Sequence, residues 1–189
     1  MDMPESTGVR DRLNNLVAVS VAVLSVFMAV TKVKDDNICQ AMLQAKSDAM
    51  DTWNQYQATR IKHHLSETAR AESDALSAGV APAAAERLQR QVQSYEEEGK
   101  KYAAEEPELM AKAKGFEQAY DDLNYRDDQF DLSDAALSIA LGLMAVTALT
   151  QKAWLFKFSW AVAALGIVMG VAGLCGWHIH PGALVKLLS

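Results

Sequence analysis

Cysteine is scarce in this sequence, with two residues in 189, and so is proline, with four. Cys39 and Cys175 are too few for a disulfide-stapled scaffold, and neither stands in the paired spacing that a zinc site uses. Two free thiols are the expectation, because a bridge between them needs a geometry that spacing alone does not supply. Catalytic signatures are missing as well. The chain has no Ser–His–Asp spacing, no glycine-rich phosphate loop, no His-Glu-x-x-His and no paired-cysteine motif. No catalytic residue, cofactor site or metal site is therefore predicted, and an enzyme in its own right is the reading with the least support. A basic surplus is also lacking. The net charge is −6, with nearly all the acid in the middle of the chain, which speaks against a nucleic-acid binder needing a basic face.

Charge is absent altogether from three stretches. Leu13 to Thr31 is nineteen residues without a charge, about 28 Å of helix against a hydrocarbon core of ~30 Å. Arg10 and Arg12 precede it, and Lys32 and Lys34 follow it. A secretory signal is the rival reading, but no small-x-small cleavage pattern ends the run, so a retained anchor is expected. Ala135 to Gln151 is a shorter second span, and Phe158 to Trp177 a third. Only residues 152–157 lie between them, with Trp154, Trp160 and Trp177 at the edges, where indole rings favour the interface. The lipid bilayer is the solvent this pattern requires. The expected organisation is an N-terminal tail (1–12), a first transmembrane helix (13–34), an extramembrane segment (35–134), two closing transmembrane helices (135–151 and 158–177) and a C-terminal tail (178–189).

Each span carries small residues at heptad spacing: Ala18, Ala22, Ser25 and Ala29; Ala135, Ser138, Gly142 and Ala145; Ala163, Gly166, Gly170 and Gly173. In lipid, helices associate through close packing, and small residues let backbones approach. Gly166, Gly170 and Gly173 are the sharpest of these candidates, within one subunit or between several. No Asp, Glu, Lys, Arg or His lies inside the apolar cores, and no inverted repeat or proline-broken span is evident, which disfavours ion-coupled transport.

The segment between the first two spans is rich in helix formers and free of Pro and Gly from Asp35 to Ser77. Ile38, Met42, Ala45, Ala49, Trp53, Tyr56 and Leu65 form its apolar stripe, which loosens past Arg60. Gly79-Val80-Ala81-Pro82 then ends one helix and opens the next. On the returning stretch, Ala85, Leu88, Val92, Tyr95, Gly99, Tyr102, Glu106, Leu109, Ala113, Phe116, Tyr120, Leu123, Asp127 and Phe130 alternate steps of three and four. This is a coiled-coil pattern with Gly99, Glu106 and Asp127 as its exceptions. Pro107 predicts a kink or break near Ala104–Glu106. The fold expected is an all-α membrane protein: three transmembrane helices with a long antiparallel, coiled-coil-like helical hairpin between the first and second. So thin a hairpin has a small core for its length, which argues for a homo-oligomer or a partner.

Trp53 and Tyr56, set among Asn54, Gln55 and Gln57, read either as a recognition patch or as core knobs beside solvated amides. His63 and His64 diverge by about 100° on a helix and do not make a metal pair. His178-Ile179-His180 reads as an interfacial tail, and Glu96-Glu97-Glu98 and Asp127-Asp128 as solvated faces.

The run from Val33 to Lys46, with Lys34-Asp35-x-Asn37, and the following Trp53-x-x-Tyr56-Gln57 resemble a bacterial family catalogued as a domain of unknown function. The resemblance covers nearly the whole chain. It implies one span, a helical segment and two closing spans in a bacterial cytoplasmic (inner) membrane. It carries no catalytic residue across and makes Asn37, Trp53, Tyr56 and Gln57 candidates for a shared structural or interaction role. The positive-inside rule leans weakly towards a cytoplasmic N-terminus and an external hairpin, because the 152–157 turn is short and basic. Three functions fit. One is a non-enzymatic, membrane-anchored scaffold or accessory protein that self-associates through its spans and hairpin. The others are an oligomeric channel or pore, and a small accessory subunit of a larger membrane enzyme complex.

Overall fold

Long uninterrupted helix is what a chain so poor in breakers is bound to form, since each residue added to an existing helix gains a hydrogen bond without a new nucleation cost. The computed structural model describes residues 5–177, with side chains from Arg10 onward. The His178-Ile179-His180 run and the rest of the tail lie outside the described residues. Three helices account for the described chain: α1 (Glu5–Ser77), α2 (Pro82–Thr150) and α3 (Ala153–Cys175). All three contain a window long and apolar enough to cross a membrane, and a long helical hairpin stands between the windows of α1 and α2.

Proline at the first position of α2 costs nothing, because its missing N–H has no partner there in any helix. α3 ends on Gly176 in the left-handed conformation (φ 67°), and the N–H of Trp177 turns back to the Ala172 carbonyl at 2.9 Å. Two expectations need correction. Of the kink or break expected near Ala104–Glu106, the break does not occur: α2 is unbroken from Pro82 to Thr150 with Pro107 inside it. The proline removes one hydrogen bond, whereas ending the helix there would leave about four carbonyls and four N–H groups without partners, so continuation wins. The turn before α3 is also shorter than the basic segment 152–157. Ala153 to Lys157 are already helical, and Gln151 and Lys152 alone form the turn, with Gln151 at φ 57°.

The chain divides into two compact units, one from Met1–Met42 and Asp121–Ser189, the other Leu43–Tyr120. In the first, Val17, Leu24, Leu137, Ala140, Met144 and Ala163 make the core, flanked by Phe27 and other partly buried side chains. Three of its buried hydroxyls bond within their own helices: Thr31 donates to the Phe27 and Met28 carbonyls, Thr147 to Leu143 and Ser159 to Leu155. That is what a membrane favours, where no water serves an unpaired donor, although the buried Ser133 Oγ has no partner.

The second unit is the two-helix hairpin. Its apolar stripe on α1 does loosen past Arg60, yet the buried seam continues on polar residues. Positions seven residues apart, Val17, Leu24, Thr31, Ile38, Ala45, Thr52, Thr59, Ser66 and Ser73, are all buried. Beyond Ala49 the buried residues of this stripe are Thr and Ser, so hydropathy fades while the geometric repeat persists. On α2, none of the fourteen positions from Ala85 to Phe130 in the three-four alternation is exposed.

Candidate functional site

The three exceptions in the α2 heptads put a glycine and two carboxylates at seam positions, where a polar side chain has to be met by a partner. Each is met from α1. A Cβ on Gly99 would lie 3.4 Å from Ser66 Oγ, so glycine here allows a close approach. The Glu106 carboxylate lies 2.7 Å from His63 Nδ1, both side chains largely covered, with Glu67 3.6 Å from the other ring nitrogen. Asp127 Oδ1 accepts from the Cys39 thiol at 3.0 Å. These polar pairs fix the register of the two helices, since a shift of one turn would leave each group unmatched.

The aromatic candidates also turn towards α2. Trp53 Nε1 donates to Glu117 at 2.9 Å, and Tyr56 packs edge-on against Trp53, centroids 5.5 Å apart at 81°. Both are half-buried, while Asn37 and Gln57 are exposed. The structure thus brings Trp53 and Tyr56 together on the hairpin seam and places the two amides elsewhere.

Gly166, Gly170 and Gly173 are buried by the chain's own helices. A Cβ on Gly166 would lie 2.9 Å from Leu137, one on Gly170 2.7 Å from Ser133 Oγ and 2.9 Å from the Phe27 ring, and one on Gly173 2.9 Å from the Phe130 ring. These glycines serve packing inside one chain. The stripe Ala18, Ala22, Ser25 and Ala29 faces outward, as do Ser138, Gly142 and Ala145.

A polar collar follows the apolar windows, made of residues that stand in no recognisable motif. Arg126 donates to the Gly173 carbonyl (3.0 and 3.3 Å) and Gln129 to the Trp177 carbonyl (2.7 Å), capping the end of α3 from α2. Lys32 binds Asp35 at 2.8 Å. Asp35 is 4 % exposed, and its second oxygen, Oδ1, is buried without a hydrogen-bond partner. A carboxylate oxygen of Asp35, one of Asp127 and Cys39 Sγ lie within 4.8 Å of one another. The Asp127 hydrogen bond, then burial and the surrounding carboxylates, push the Cys39 thiol up to about 11. Burial and the neighbouring Asp35 charge hold Asp127 above the usual carboxylate range, and burial with Asp127 does the same for Asp131. Chemically this is a concentration of negative charge suited to a cation. The sequence signal for it was the Asp127 heptad exception, read there as a solvated face.

Both cysteines are free and exposed. Three helices able to cross a membrane, joined by a long helical hairpin, define the class: an all-α, membrane-compatible protein. Residues 13–176 match the family described as Domain of unknown function (DUF4337), and the chain belongs to that family. No curated protein and no solved structure matches it.

Proposed function

We propose that this protein is a non-enzymatic, membrane-anchored scaffold whose coiled-coil hairpin assembles with a second copy of itself. One observation carries the reading. Leu43, Met50, Ile61, Leu65 and Leu76 are each between 60 and 69 % exposed, all on the α1 arm. At 100° per residue they fall within about 80° of arc, on the side of α1 away from its buried seam except for Leu76, which flanks it about 60° from Ser73. Among the described residues, the α2 arm from Pro82 to Asp131 exposes no large apolar side chain. An apolar stripe on one arm of a water-facing hairpin is an unfinished interface. A second copy supplies a matching stripe around a two-fold axis, the commonest way for like chains to pair. The outward small residues of α1 and α2 support continued contact between copies in lipid.

The setting proposed is a bacterial cytoplasmic membrane, with Arg10, Arg12, Lys152 and Lys157 inside and the hairpin outside. Cysteine cross-linking in native membranes tests the assembly. With Cys39 and Cys175 replaced by serine, Leu65→Cys is expected to give a disulfide-linked dimer of the chain on mild oxidation. Glu97→Cys, on the outer face of α2, is expected to give none. Linkage of Leu65→Cys to a different protein in fixed ratio would replace this reading with that of an accessory subunit.

A further inference from the structure

The geometry points to a divalent metal site of the zinc class formed by Asp35, Cys39 and Asp127. Asp35 and Cys39 stand four residues apart on α1, which puts both on one face a turn apart. Asp127 comes from α2, and all three belong to one compact unit. A buried carboxylate oxygen normally has a partner, because leaving it unpaired forfeits its hydration. Asp35 Oδ1 has no N–H donor, although the other oxygen already holds the Lys32 ammonium, and the neighbour its carboxylate reaches across the seam is the like-charged Asp127 carboxylate. A bound cation supplies that partner and offsets the crowding of carboxylates.

The thiol decides which cation. Oxygen-only sites suit magnesium and calcium, whereas a sulfur donor selects zinc and its neighbours. In a tetrahedral zinc site with bonds of about 2.0–2.3 Å, ligand atoms sit roughly 3.3–3.8 Å apart. The present spread of up to 4.8 Å closes with side-chain rotation of about an ångström. On binding, the metal–sulfur bond forms as the S–H bond breaks, and the proton leaves to solvent. The fourth position is left to water. Bound there, the ion ties α1 to α2 next to their apolar windows.

The test uses the full chain in detergent, stripped of metal with a chelator and titrated with Co2+ and Zn2+. One Co2+ per chain is expected, with a thiolate-to-cobalt charge-transfer band that Cys39→Ser abolishes and Cys175→Ser leaves unchanged. At mildly alkaline pH the high pKa of the metal-free Cys39 thiol leaves it slow to alkylate. Followed over hours, that reaction is expected to slow further with Zn2+ while Cys175 reacts unchanged. Asp127→Asn is expected to weaken Zn2+ binding at least tenfold. The band and the protection are read on the unsubstituted chain, so a misfolded variant does not obscure them. Absence of the band, unchanged Cys39 alkylation, or Mg2+ binding as tight as Zn2+ would overturn the site.

Discussion

At the scale of single residues, the third span shows how much depends on a missing methyl group. Gly170 lets Ser133 and Phe27 approach to distances that a Cβ does not tolerate. Gly170→Ala is expected to lower stability in detergent by about 1–3 kcal/mol, the usual cost of overpacking. Gly115, on the hairpin arm of α2 with nothing within 4 Å of its would-be Cβ, is the control. Gly115→Ala is expected to raise stability by about 0.5–1 kcal/mol through helix propensity alone. Thermal unfolding of the two variants side by side checks both signs. The acidic collar makes a pH-dependent prediction. Asp131 has its folded-state pKa raised above its ordinary value of 3.8. Its protonated form therefore favours the fold below that value, and the benefit is lost as pH rises through the folded-state pKa. Asp131→Asn is expected to stabilise the chelator-treated protein at neutral pH by a fraction of ~1 kcal/mol, since the side chain is partly solvated. Unfolding midpoints of variant and parent are expected to converge as pH falls towards 3.8.

At the scale of the helices, α2 holds a proline that its length overrides. Ordinarily an interior proline costs about 3 kcal/mol relative to alanine. Pro107→Ala is therefore expected to raise hairpin stability by about 1–3 kcal/mol, read as a higher denaturant midpoint with an unchanged slope. A fall would show that Pro107 contributes packing beside Tyr56, which lines the same groove.

The helices also show what is legible in a sequence of this kind. Apolar blocks announce spans, and the α2 heptads announce their own seam, because Leu, Val, Tyr and Phe occupy it. The matching α1 seam is carried past Ala49 by Thr52, Thr59, Ser66 and Ser73, residues equally at home on a solvated face. A count of apolar residues therefore loses the stripe where the structure keeps it. The polar pairs were half legible. Glu106 and Asp127 stood out as heptad exceptions, yet His63 and Cys39 are their partners only once the antiparallel register is known. Gly166, Gly170 and Gly173 were recognisable as a packing face, but a one-dimensional pattern does not say whether the neighbour belongs to the same chain.

At the scale of the whole molecule, the internal use of the glycine face narrows the means of assembly. What remains outward is the small-residue stripes of α1 and α2 within the spans, together with the apolar side of the α1 arm in the hairpin. The latter carries the argument, because five large apolar side chains in water have a cost that a partner relieves. The most direct measurement is the protein mass of the complex extracted in mild detergent, by light scattering with the detergent contribution subtracted. A mass of two chains, each of 20.6 kDa, is predicted, falling to one chain when Ile61→Glu and Leu65→Glu are combined, with helicity retained. A single chain before substitution, with the hairpin fully folded, would contradict the account.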